Sequence, residues 1–324
     1  MHHTASKQSQ TFLKLANSIN PLDTVSRAGS GHNSQYSKRS ATSSIYCTIH
    51  TPEPTDDGDG CSSKMSSSNR NKIPVERKCI LLQECLLNGT YSQIHCGILF
   101  EEGNDNIKDV MIKSVTEEAT EDQVSLFRRE AYAFCNLNHQ YILSATRICR
   151  DDPERPLFIY PYHNQENLKL FLQDCRISTD GHIQTVLTQD LALIALQIIE
   201  GMTYLHKKRL IHRDLATRNC FISSIEGNSS YVKICDNSLS KDLFPEDYQL
   251  INNNEYHPIK WLSIETLLTN EYTFANDVWE FGVTFWELMT LGQDPYNEIN
   301  PFKVITYLEE GYRLIQPNNC PNNL

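Results

Sequence analysis

The sequence predicts an α+β domain in two lobes: a small antiparallel β-sheet with one helix, followed by a larger, mainly helical lobe. Three observations predict it. From Cys79 onward, "CILLQECLL", "IHCGILF" and "DVMIKSV" are short apolar runs. Asn-Gly and Gly-Asn-Asp turns break them, the pattern of an antiparallel sheet. "EDQVSLFRREAYAFCNLN" then places Val124, Phe127, Ala131 and Phe134 at helical spacing, with acids at its start. Beyond Tyr162 helical periods dominate and no internal repeat occurs.

In the second lobe, Gln189 to His206 sets Leu191, Ile194, Ile198, Met202 and Leu205 on one stripe, with Thr188 available as a cap. "NCFIS" and "YVKIC", joined by "SIEGNSS", read as a β-hairpin. "NDVWEFGVTFWELMTL" is apolar on nearly every face and predicts a buried central helix. Residues 1–75 are dominated by Ser, Thr, Asn, His, Gly and Asp, a composition that cannot bury enough apolar area to offset chain entropy. The expected organisation is therefore a disordered leader over 1–75 and a folded domain over 76–324, with lobes at 76–162 and 163–324.

The bulk numbers narrow the class. A hydrophobic fraction of 40% over 324 residues suits a folded domain with an unfolded part. A formal charge of −11 argues against a nucleic-acid surface, which needs clustered Lys and Arg. The 11 cysteines include no Cys-x-x-Cys pair and suit reduced thiols in the cytosol. No signal-peptide core and no run of roughly 18 apolar residues occurs, so the chain as written is expected neither to enter the secretory route nor to span a membrane.

The most specific signal is His212-Arg213-Asp214-Leu215-Ala216-Thr217-Arg218-Asn219, set between the long amphipathic helix and the hairpin. It resembles the catalytic loop of protein kinases in its tyrosine-kinase variant. The resemblance implies that Asp214 accepts the substrate hydroxyl proton, that Arg218 assists, and that Asn219 and Asp236 hold magnesium. Val110-Met111-Ile112-Lys113 resembles the lysine strand, and Glu130 inside the predicted helix stands where that lysine's partner belongs. A Lys113–Glu130 ion pair is expected. Pro258-Ile259-Lys260-Trp261 with Ser263-Ile264-Glu265 resembles the end of the activation segment, which would carry Tyr248 and Tyr256. Asp277-Val278-Trp279 resembles the start of the family's central helix, and the resemblance implies that Asp277 accepts backbone hydrogen bonds from the catalytic loop. Together these imply ATP and Mg²⁺ as cofactors, with Leu87, Gly89, Ile94, Met111, Lys113, Tyr160, Pro161, His163 and Phe221 around the nucleotide.

Several positions depart from that pattern. The phosphate loop keeps Gly89 but has Leu87 and Ser92 where glycines are expected. The Asp-Phe-Gly motif reads Asp236-Asn237-Ser238, and burying an unpaired amide there would cost about 1–3 kcal/mol. That change is expected to swing the Glu130 helix outward and to break the Lys113–Glu130 pair that the motif spacing implies. Met111 and Phe221 are bulky above and below the adenine plane, with Tyr160 at the back. Nucleotide exclusion is expected.

"NLKLFL", "KDLFPEDY", "WELMTLGQDPY" and "GYRLIQPNNCP" are similar to the Ryk/Derailed group of atypical receptor tyrosine kinases. That resemblance implies a Wnt-binding receptor context, a place on the cytoplasmic side of the plasma membrane, and signalling through partner proteins and other receptors. It also implies weak or absent phosphotransfer. An active tyrosine kinase is the alternative, because Lys113, Glu130, Asp214, Asn219 and Asp236 are all present. An unstable truncated product is a third reading. The family continues past "NCPNNL" with helices, one bearing an Arg that pairs with the glutamate at Glu265, and an orphaned buried charge there would cost about 3–5 kcal/mol.

Overall fold

The computed structural model describes residues 74–101, 107–135, 137–162, 166–177, 186–225, 229–251 and 255–321, all within one compact unit. The expected leader lies outside the described residues except for Pro74 and Val75. Strands β1 (Ile80–Asn88), β2 (Ser92–Phe100), β3 (Ile107–Val115), β4 (Arg147–Cys149) and β5 (Leu157–Pro161) form one antiparallel sheet in the order β1-β2-β3-β5-β4. Side chains alternate across it. Val110 and Ile112 pack with Ile80, Leu99, Cys149 and Ile159 on one face. Met111 and Val115 turn to the other face, against Phe158 and Tyr160.

Helix α1 (Glu121–Cys135) closes that second face with Val124, Phe127, Ala131 and Cys135. Its start is fixed by a reciprocal cap: Thr120 Oγ1 accepts from Gln123 N at 3.3 Å, and Gln123 Oε1 accepts from Thr120 N at 2.9 Å.

The second lobe is built on α2 (Leu168–Ile177), α3 (Thr188–Lys207) and α6 (Phe274–Met289), with short helices α4 (Ser240–Leu243), α5 (Ile264–Thr269) and α7 (Val304–Glu309). The short strand β6 (Glu166–Asn167) joins the hairpin of β7 (Cys220–Ile225) and β8 (Ser229–Ile234). The predicted α3 stripe of Leu191, Ile194, Ile198, Met202 and Leu205 is its buried face. Thr188 is inside this helix rather than capping it. Instead the carboxylate of Asp190 accepts from the Leu187 amide at 3.3 Å.

The central helix α6 differs from its apolar reading. Val278 is 63% exposed, whereas Asp277, Glu280, Thr284 and Glu287 are buried. Their polar atoms are used to hold a loop. Glu265 also differs from expectation: it is exposed on α5, so no buried unpaired carboxylate arises there. Among the described residues no helix is long and apolar enough to cross a membrane.

Candidate active site

The inward carboxylates of α6 are the floor of the site. Asp277 accepts from the backbone amides of His212 at 2.9 Å and Arg213 at 3.0 Å. Glu280 accepts from the Leu215 amide at 2.8 Å, and Glu287 accepts from the Thr217 hydroxyl at 2.7 Å and Trp261 Nε1 at 2.9 Å. Arg213 adopts φ 73°, a strained region for a residue with a side chain, and these bonds hold it there. Burial raises the carboxyl of Glu280 well above the usual range, and the nearby Asp277 and Asp214 add to it.

On this floor Asp214 is only 1% exposed. Its Oδ1 accepts from Arg218 Nη2, and its Oδ2 accepts from the hydroxyl of Tyr248 at 2.5 Å. Asn219 Nδ2 donates to the Asp214 carbonyl at 2.6 Å and to Oδ2 at 3.0 Å. Tyr248 accepts in turn from Arg218 Nε at 2.9 Å. Burial works against the charge of Arg218, but Asp214, Tyr248, Asp247 and Glu287 outweigh it and raise its pKa well above normal. Both oxygens of the Asp214 carboxylate are thus engaged within the chain.

Tyr248 is set in place by its neighbour. The Asp247 carboxylate accepts from Lys169 Nζ at 2.7 and 2.8 Å and from Arg218 at 3.3 Å. Lys169, on α2, is 4% exposed and also meets Asp294 at 3.3 Å. Lys169 and Asp247 lie in the segments NLKLFL and KDLFPEDY that carry the group resemblance, but nothing in those segments pairs one with the other.

Lys113, expected to pair with Glu130, instead forms its ion pair with Asp236. Burial works against the charge of Asp236, but Lys113 and donors from Ser238 outweigh it and lower its pKa. Ser238 donates to Asp236 through its hydroxyl at 2.8 Å and its amide at 3.2 Å, bonds of which a glycine could make only the second. Glu130 accepts from the hydroxyl of Tyr91 at 3.0 Å. Burial and the facing Asp236 raise the Glu130 pKa against the pull of Lys113. Tyr91, in the phosphate loop, is itself buried in the apolar cluster under the sheet. Its role was not read from the sequence, although an aromatic residue in a loop beside Gly89 was the available signal.

Four of the residues expected around adenine, Ile94, Met111, Tyr160 and Phe221, share one apolar cluster. Met111, 8% exposed, and Tyr160, 6% exposed, belong to one apolar cluster, with Ile94, Phe221, Tyr162 and Cys235 packed against it. Met111 faces Tyr160 in the β3–β5 register. Leu87 is buried, Pro161 ends β5, and His163 lies outside the described residues. The expected metal ligands are also engaged: Asp236 Oδ1 serves Lys113 and Ser238, and Asn219 Oδ1 accepts from the Ser240 hydroxyl. As arranged, the residues do not fit a bound Mg²⁺–ATP. Of the activation-segment tyrosines, Tyr248 is 8% exposed and Tyr256 52%, the latter with Lys241 Nζ 4.9 Å from its ring centroid.

The profile of the protein tyrosine and serine/threonine kinase family matches residues 80–324. The chain belongs to that family. Members of this kinase family generally use ATP and Mg²⁺. Tyrosine-protein kinase RYK of Mus musculus is 44% identical over 253 residues, covering 78% of this chain and 42% of the relative. Tyrosine-protein kinase Drl of Drosophila melanogaster is 35% identical over 310 residues, covering 95% of this chain and 47% of the relative. A Caenorhabditis elegans relative, named inactive tyrosine-protein kinase RYK, is 39% identical over 230 residues, covering 68% of this chain and 39% of its own. The chain is a Ryk/Derailed-like kinase domain, and it spans about two fifths of the length of the curated relatives it matches.

Proposed function

We propose that this kinase domain is a pseudokinase, the signalling part of a Ryk/Derailed-type Wnt receptor on the cytoplasmic side of the plasma membrane. It acts by presenting a fixed surface to signalling proteins and other receptors rather than by phosphotransfer. The observation that carries the reading is the packing of Met111, Tyr160, Ile94 and Phe221 into one apolar cluster where adenine would stack. Met111 and Tyr160 are buried in that cluster and Phe221 and Ile94 pack against it, so a flat base would have to displace packed side chains to enter. Engagement of Asp236 and Asn219 by Lys113, Ser238 and Ser240 supports it, since a metal would have to displace those partners.

A second reading has its own observation. Lys113, Asp214, Asn219 and Asp236 are all present, and Tyr248 sits on Asp214 as a substrate hydroxyl would. An active tyrosine kinase held latent would look the same at that point. Phosphotyrosine measured on the purified chain with ATP and Mg²⁺, beside Asp214→Asn, decides between them. Absence of incorporation in both supports the pseudokinase; robust incorporation that Asp214→Asn abolishes replaces it with the latent enzyme.

A further inference from the structure

Gly89 lies in the turn between β1 and β2 with φ outside the left-handed region, so its backbone would admit any residue. Space is what restricts it. A Cβ there would lie 2.6 Å from Leu239 Cδ2 and 2.9 Å from Ser92 O, and closer still to Asp242 Oδ2. Asp242 is on α4, in the activation segment, and its Oδ1 accepts from the hydroxyl of Thr90 beside Gly89. Its Oδ2 is buried and has no hydrogen-bond partner among the described residues. The phosphate loop therefore closes on a carboxylate, and the cation expected to meet phosphates, Lys113, is spent on Asp236.

We propose that Asp242 is an internal plug of the phosphate site: its carboxylate occupies the anion position under the Gly89–Thr90 turn. The surviving glycine of the loop serves this close approach rather than a nucleotide. The inference rests on the reading that the domain excludes nucleotide, and it names the group that excludes the phosphates as Met111 and Phe221 exclude the base. Like charges brought within a few ångströms in a partly buried site repel strongly, so the plug needs no motion to act.

The test uses inorganic tripolyphosphate, which has no base and is blind to the adenine slot. The whole chain is titrated calorimetrically at constant ionic strength as wild type, Asp242→Asn and Asp242→Ala. Wild type should show no saturable binding, and both variants should bind at least about tenfold tighter than the wild-type limit. In parallel, Gly89→Ala should lower the melting temperature more in the wild-type background than beside Asp242→Ala, where the nearest clash is gone. If Asp242→Ala does not fold, the isosteric Asp242→Asn carries the titration. Tripolyphosphate binding no tighter in the variants than in wild type, or equal Gly89→Ala penalties in both backgrounds, overturns the plug. Neither outcome touches the adenine slot, which is read separately by ATP binding to Met111→Ala.

Discussion

The hydroxyl of Tyr248 donates to Oδ2 of Asp214 while accepting from Nε of Arg218 at 2.9 Å, so one phenol bridges Asp214 and Arg218 of the 212–219 loop. Tyr248→Phe removes both bonds in a buried site. Chemical denaturation should show a loss of about 1–3 kcal/mol, the scale for stranding buried polar partners. Limited proteolysis should show faster cleavage within residues 240–256. An unchanged midpoint and digest would mean that the bridge holds nothing in place.

Lys169 sets up a second experiment. Its ammonium is buried against Asp247, so Lys169→Met leaves that carboxylate with Arg218 alone and should cost up to about 3–5 kcal/mol. Lys169→Met with Asp247→Leu removes both charges and should recover most of that loss. Equal instability of the single and double variants would show that Arg218, rather than Lys169, is the essential partner of Asp247.

Glu130 gives a pH dependence. Burial and Asp236 raise its folded pKa above the unfolded value of about 4.3. Its favourable contribution is therefore complete below the unfolded value and is lost as pH rises through the folded one. Glu130→Gln keeps an acceptor for Tyr91 without the charge. Melting curves of variant and wild type should coincide at low pH and diverge upward through the raised folded pKa. At neutral pH the variant should be the more stable of the two. A variant less stable at every pH would mean that Glu130 is held charged by Lys113.

Nucleotide should leave the wild-type melting temperature unmoved at millimolar ATP with Mg²⁺. A ligand at 100 times its dissociation constant would add about 2.7 kcal/mol, a shift of several degrees. Met111→Ala opens one wall of the cluster and should create a shift with adenosine, whose binding does not depend on the phosphate site. A clear wild-type shift with ATP would contradict the packing argument.

The two lobes, the α1 and α3 faces and the β7–β8 hairpin were legible because each has one periodicity with a buried and an open side. The motif loop was legible because its eight residues are consecutive. Lys169, Asp247, Tyr91 and Asp242 were not, because each meets a partner across a long stretch of chain: Lys169 is 78 residues from Asp247, and Thr90 is 152 residues from Asp242. The Lys113–Glu130 pair is replaced for a related reason. Motif spacing names the lysine's usual partner, but the choice between two nearby carboxylates depends on Tyr91 and Ser238 as well. Of the α6 carboxylates, Asp277 was legible through its motif and does accept the loop amides, whereas Glu280 and Glu287 were obscured by the surrounding Phe, Val and Trp, which made the rest of the helix read as apolar.

Those α6 carboxylates separate shape from chemistry. Asp277, Glu280 and Glu287 grip the 212–219 loop by its backbone amides and by Thr217, so its contour is fixed from below whether or not anything binds above. A lineage could stop transferring phosphate and still be unable to alter much of His-Arg-Asp-Leu-Ala-Thr-Arg-Asn without unpicking the lobe, since Arg218, Asn219 and Thr217 are all structural here. In such a domain an intact catalytic signature is a record of architecture, and an inventory of enzymes made by counting that signature would include proteins that have kept only the mould.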